Sequence, residues 1–104
     1  MRILQLTLKK KWFDLIASGE KAFEYREYKP HWMSRLLGRS GYQNYDEIRF
    51  TNGYGKHRPF LRVEFEGMAI IEGKYCEQAN GEPLEPEQKY FVIGLGKVLE
   101  IGNA

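Results

Sequence analysis

Three ionisable side chains of different kinds, Lys21, Glu24 and Arg26, fall within the ten-residue segment Gly19-Glu20-Lys21-Ala22-Phe23-Glu24-Tyr25-Arg26-Glu27-Tyr28. A lysine partly desolvated near another cation has its pKa lowered and can act as a base or nucleophile. Glu24 can take or deliver a proton, and the Arg26 guanidinium suits a phosphate or a base edge. Tyr28, Trp32 and Tyr54 offer rings on which a nucleobase can stack. A strand alternates its faces at every residue. Phe23 and Tyr25 are therefore expected on a core face, and Glu24, Arg26 and Tyr28 on the opposite, site-bearing face. A surface ion pair contributing little stability would need the same spacing, so spacing alone does not choose between site and solvated edge.

Other groupings carry less. His31 and His57 are the only histidines, with no HExxH or CxxC pattern, and no metal or other cofactor is expected. No GxSxG is present, and Cys76 stands in a polar loop with no motif around it. The segment Asn52-Gly53-Tyr54-Gly55-Lys56-His57-Arg58-Pro59 lacks the spacing of a P-loop and does not run into a helical pattern. A turn explains its glycines equally well. Its backbone N–H groups together with Lys56 and Arg58 could also hold a phosphate.

The elements that position these residues follow from periodicity. Arg2 to Leu8 alternates, with Leu4, Leu6 and Leu8 on an inner face. From about Lys10 the period becomes helical: Trp12, Leu15 and Ile16 form a stripe widened by Phe13 and Ala17, and Gly19 is placed to end the helix in the left-handed region. Pro30 can open a second helix, with Trp32, Met33, Leu36 and Leu37 apolar and Gly38 as its stop. Arg39 to Tyr45 reads as a polar loop, and Asp46 to Phe50 as a strand with Ile48 and Phe50 inward. Phe60 to Ile71 alternates until the phase slips at Gly67, which predicts a bulge or bend. Glu72 to Gln88 is a polar loop, and Lys89 to Ile101 a last strand in which Gly94 and Gly96 share a face open to close approach.

Strands without regularly intervening helices exclude a doubly wound sheet. The expected fold is α+β and mainly β: a small, curved, partly closed β-barrel of five to six strands, with two short helices near the N-terminus. At 104 residues, positions 1–104 form a single domain. Thirteen Tyr or Phe and two Trp give it the means to build a core. No apolar run reaches the length of a membrane span, Met1 to Leu6 lacks the pattern of a signal peptide, and Cys76 has no disulfide partner, so no membrane association and a cytoplasmic location are expected. Residues 1–41 hold nine Lys or Arg against four Asp or Glu, and residues 42–104 seven against ten. The basic half could attract a polyanion or a single phosphate.

The run Lys11-Trp12-Phe13-Asp14-Leu15-Ile16-Ala17-Ser18-Gly19-Glu20-Lys21 after a strand, followed by Phe23-Glu24-Tyr25-Arg26, resembles the ASCH domain of the PUA-like superfamily. Asp46-Glu47-Ile48-Arg49-Phe50, the strand holding Val63-Glu64 and the terminal Tyr90-Phe91-Val92-Ile93 extend the resemblance over most of the chain, residues 72–88 least. It implies a PUA-like barrel with a cleft beside the first helix that binds RNA or a nucleotide. Lys21, Glu24, Arg26, Tyr28, Asn52, Tyr54, Lys56 and Arg58 are the ligand-binding candidates, with Lys21 and Arg26 on phosphate and Glu24 on a base edge or ribose hydroxyl. The alternative it implies is a small hydrolase acting on a modified nucleoside, such as an N4-acylcytidine, or on RNA. Lys21 and Glu24 would then be catalytic. Glu24 stands where the amidohydrolases of the family carry threonine, and their catalytic glutamate has no single counterpart among Glu72, Glu77 and the neighbouring loop acids.

Overall fold

The computed structural model describes residues 1–53, 57–76 and 82–103. The alternating leucines form β1 (Ile3–Leu8), with Leu4, Leu6 and Leu8 all buried. The helical stripe forms α1 (Lys10–Ala17), which buries Phe13 and Ile16 and rests Trp12 and Ala17 against the core. Gly19, at φ +83°, turns the chain out of the helix, and the Lys21 N–H returns to the Leu15 carbonyl at 3.0 Å. Next come β2 (Phe23–Glu27) and α2 (Pro30–Leu36), with Pro30 in the first turn, where its missing N–H costs nothing.

The second helix stops before Leu37. Leu37 and Gly38 form β3 (Leu37–Gly38), a two-residue strand paired with β4 (Gly41–Tyr42), so a small hairpin occupies part of what the sequence reads as loop. The longer strands are β5 (Glu47–Asn52), β6 (Pro59–Glu72) and β7 (Lys89–Asn103). Five strands make one mixed sheet in the order β1-β5-β6-β7-β2. β1 runs parallel to β5, from Ile3 opposite Glu47 to Leu8 opposite Asn52, and the other neighbours are antiparallel. The fold is thus small, α+β and mostly strand, with both helices in the first 40 residues. Among the described residues, no helix is long and apolar enough to cross a membrane.

The pairing of the two long strands slips where the sequence predicts a bulge. Gly67 has φ +91°, and the β6–β7 register shifts between Phe65 and Met68. Glycine at 96 leaves room for the β6 acids: a Cβ there would lie 2.6 Å from Glu66 Oε1 and 3.0 Å from Glu64 Cβ. One face of the sheet holds the core, where Leu4, Ile48, Phe50, Leu61, Phe91 and Ile93 are essentially inaccessible to water.

The sheet order leaves β1 and β2 as its two edges, with no ladder between them. Side chains bridge part of that gap. Arg26 Nη2 on β2 donates to the Thr7 carbonyl of β1 at 3.2 Å, and Arg35 Nη2 on α2 donates to the Gln5 carbonyl at 2.8 Å. Two carbonyls of an edge strand are satisfied by guanidinium groups instead of by another strand. The cleft opens at this seam.

Candidate functional site

The turn after α1 carries Lys21 inward, and its side chain is completely buried, with a carboxylate on either side. Nζ donates to the Phe23 carbonyl and to Glu24 Oε1, the latter at 3.4 Å, and lies 3.5 Å from Glu82 Oε2. The Tyr25 ring lies 4.8 Å from the ammonium and the Trp12 ring 5.8 Å. Lys21 was expected beside another cation and in contact with phosphate. Its nearest charged partners are instead two acids, and its side chain does not reach the cleft surface.

Glu24 is buried as deeply as any core residue. Its Oε1 also accepts from the Tyr25 N–H at 2.9 Å, and its Oε2 lies 3.4 Å from Arg26 Nη1. Charges on both sides and a backbone donor offset the cost of removing this carboxylate from water. Arg26 is both structural and cleft-lining. Besides bonding Thr7 it pairs with Glu24, lies 5.1 Å from the Trp32 ring centre and forms part of the cleft wall.

The two-faced strand expected of residues 23–28 is not what forms. The faces are the reverse of those expected: Glu24 and Arg26 pair with the core residues Ile93 and Phe91 of β7, Tyr25 pairs with Val92 on the other face, and Glu24 and Tyr25 are both buried. Glu24 is covered by the core itself, and the Tyr25 face by the segment that follows the one-turn helix Gly73–Tyr75. Residues 82–88 are tied down by Gly73 N–H to the Gln88 carbonyl at 2.8 Å, Lys74 N–H to the Pro86 carbonyl at 3.0 Å and Glu85 N–H to the Tyr90 hydroxyl at 2.8 Å. Gln88 Nε2 donates to Glu27 Oε2 at 3.0 Å. A side chain at Gly73 would collide with the Glu85 carbonyl, with a Cβ only 2.1 Å from it. Thus fastened, the segment brings Glu82 to the face of β2 that carries Tyr25. Burial, with the charges of Cys76, Glu82 and Glu24, pushes the Tyr25 phenol up to about 12.

Glu82 is the site residue that sequence reasoning missed. Its carboxyl pKa is raised because burial penalises the charge and Glu24 repels it, and the attraction of Lys21 and Arg26 only partly offsets this. Its side chain is 16% exposed and faces the cleft, unlike Lys21 and Glu24. In the sequence it is one acid among several in a polar loop. A buried lysine with one nearby carboxylate is the only signal that a second acid should be sought.

Above these three residues lies a cleft of about 900 Å³ between β1, α1, β2, α2 and residues 82–84. Its cations include Lys9, Lys11, Lys29 and Arg35, with His31 beside them. Both tryptophans of the chain, Trp12 and Trp32, are in its wall. The Trp32 ring is not simply a stacking surface. Arg26 and Arg35 sit 5.1 and 5.0 Å from its centre, and His31 meets it edge-on, so it props two guanidinium groups.

The remaining candidates are dispersed. Asn52 lines a second hollow of about 410 Å³ that shares Thr7, Lys9, Trp12, Arg26 and Glu82 with the main cleft. Tyr28 is not in the cleft: its ring packs 5.4 Å from Phe91 and borders a separate hollow beside Ile70 and Tyr75. Arg58 is half-buried and lines neither hollow of the site. Tyr54 and Lys56 lie outside the described residues. Among the described residues no three His, Cys, Asp or Glu side chains converge in a manner that would hold a metal ion.

Comparison with protein-family models, with curated proteins and with solved structures found no match.

Proposed function

We propose that the protein is a nucleotide- or RNA-binding module of the ASCH, PUA-like kind, its sheet curling into a partly closed barrel and its ligand lying in the cleft beside α1. The observation that carries this reading is the composition of the cleft wall. Lys9, Lys11, Lys29 and Arg35 supply positive charge there, and Trp12, with the Lys11 ammonium 4.7 Å from its ring centre, supplies an aromatic surface in the same wall. Phosphate needs the first and an unstacked base needs the second. Arg35 suits a phosphate because one edge of its guanidinium is already anchored on Gln5 and the group rests on Trp32, which limits the freedom lost on binding. Lys21 acts from below by holding Glu24 and Glu82 in place.

Because both tryptophans border the cleft, their fluorescence reports directly on its occupancy. Titration with short single-stranded RNAs is expected to quench the emission saturably and to shift the indole N–H resonances of Trp12 and Trp32. Saturable binding that leaves both resonances unmoved would place the ligand elsewhere and defeat the reading.

A second reading, a hydrolase acting on an acylated nucleoside such as N4-acetylcytidine or on RNA, is favoured by one feature. Glu82 combines exposure to the cleft with a raised carboxyl pKa and a lysine 3.5 Å behind it, the properties of a general acid or base. Glu82 would exchange the proton with substrate, Lys21 would set its charge state, and Glu24 would hold Lys21. Incubation with N4-acetylcytidine and with short RNAs, followed by chromatography, tests it. Turnover abolished by Glu82→Gln supports the enzyme, and saturable binding without turnover supports the module alone.

A further inference from the structure

The two hollows differ in a way that assigns an orientation to the ligand, and we infer that the cleft takes a phosphorylated ribonucleoside with its phosphate in the larger hollow and its base in the smaller. This deepens the nucleotide-binding reading and rests on it. The hollows meet at a waist formed by Thr7, Lys9, Trp12, Arg26 and Glu82, which border both. Beyond the waist their chemistries part. The larger, about 900 Å³, adds Lys11, Lys29 and Arg35 with His31, against Glu27. The smaller, about 410 Å³, adds Leu8, Asn52 and Gly53 and no charged side chain.

A phosphate gains from the first environment, whereas a neutral heterocycle would waste it. In the second, past the Lys9, Arg26 and Glu82 of the waist, a base finds an aliphatic side chain, the Trp12 ring and a single amide. Asn52 sits at the end of β5, opposite Leu8 in the β1 register, so its backbone is fixed by the sheet. Asparagine offers one donor and one acceptor side by side, the pattern needed to read a base edge. Asn52 is therefore the specificity-determining residue. The ribose crosses the waist, where the Glu82 carboxylate accepts from a sugar hydroxyl and Trp12 covers the sugar or base face. The ligand can be a free nucleotide or one residue of a single strand, since both present the same phosphate, sugar and unpaired base.

Isothermal titration calorimetry with the four ribonucleosides, their 5′- and 3′-monophosphates and single-stranded trinucleotides tests the assignment. The phosphate of at least one monophosphate should tighten binding about 10- to 100-fold over the nucleoside, the worth of a charge-assisted contact. Arg35→Gln, or the exposed Lys11→Gln should the first variant fold poorly, should shrink that gain and leave the ranking of bases unchanged. Asn52→Ala, or Asn52→Asp as its second form, should flatten or reorder the ranking and leave the phosphate gain intact. Tighter binding of trinucleotides than of any monophosphate identifies a strand as the source, and equal binding a free nucleotide. Nucleosides and both monophosphates binding equally, or Asn52 variants losing the phosphate gain while keeping the base ranking, would overturn the orientation alone. No binding by any of these probes would overturn the nucleotide-binding reading and the orientation together.

Discussion

Replacing Lys21 with methionine removes the buried ammonium that lies between Glu24 and Glu82 while nearly preserving side-chain volume. Its Nζ lies 3.4 Å from one carboxylate and 3.5 Å from the other, and its side chain has no exposure to water. Glu24 retains the Tyr25 N–H and the neighbouring Arg26, whereas Glu82 retains much less. Breaking a buried pair on one side costs about 3–5 kcal/mol, because a charge is left without compensation. A chain of 104 residues has an unfolding entropy near 0.2 kcal/mol per kelvin, so the expected fall in Tm is about 14–23 °C. Circular dichroism during thermal and urea unfolding measures it. Coupling can be isolated with Glu24→Gln: the double variant should lose about 1 kcal/mol less, or better, than the two single losses added together. A Lys21→Met variant within about 1 kcal/mol of the parent, combined with strict additivity, would refute the reasoning that the lysine is held by these acids.

Further consequences are more local. Gly73→Ala drives a Cβ into the Glu85 carbonyl, so it should loosen residues 82–88 and speed amide exchange at Glu85 and Gln88, with little change at the core amides of β5. Arg26→Ala removes the link to the β1 carbonyl and a partner of Glu24, at a cost of about 2 kcal/mol in urea unfolding. Tyr25 should ionise near pH 12 when followed by ultraviolet absorbance; because its folded pKa lies above the unfolded value, stability should fall as pH rises above 10. Glu82 is likewise raised, so its ionisation works against the fold: its contribution declines as pH climbs from its ordinary value through the folded one. Glu82→Gln should make stability less dependent on pH across that window, as read by urea midpoints.

The parts of the fold legible in the sequence are those fixed by local period. Leu4, Leu6 and Leu8 alternate because one face of β1 is buried, and Phe13 and Ile16 sit at helical spacing because one face of α1 is. Gly19 and Gly67 mark a helix end and a bulge, since their positive φ values suit no other residue as well. Which face of β2 meets the core was not legible, because it is set by pairing with β7, and the burial of Tyr25 depends on a segment nearly 60 residues later. The alternation of β2 was legible but its faces are reversed: Glu24 and Arg26 pair with the core residues Ile93 and Phe91, and residues 82–88 cover the other face, which carries Tyr25. The same distance hides Glu82, whose importance comes from where Gly73 and Tyr90 anchor its loop. Nor could spacing show that Trp32 carries Arg26, since that contact joins α2 to β2 and depends on how the sheet edges approach; the Arg35 contact, three residues on along α2, is the part that helical spacing allows. Lys21, by contrast, stood out in the sequence and is central to the site, but as the charge that holds two acids beneath the cleft.

The cationic cleft over Lys21 is proposed to bind phosphate-bearing nucleic acid. The most direct test is the salt dependence of binding to a fluorescently labelled single-stranded RNA, followed by anisotropy in the parent protein and in Arg35→Gln. If about three phosphates are neutralised, the logarithm of the binding constant should fall with the logarithm of salt at a slope near −2, and Arg35→Gln should make that slope shallower by about 0.7. A slope near zero, or one that Arg35→Gln leaves unchanged, would contradict the account.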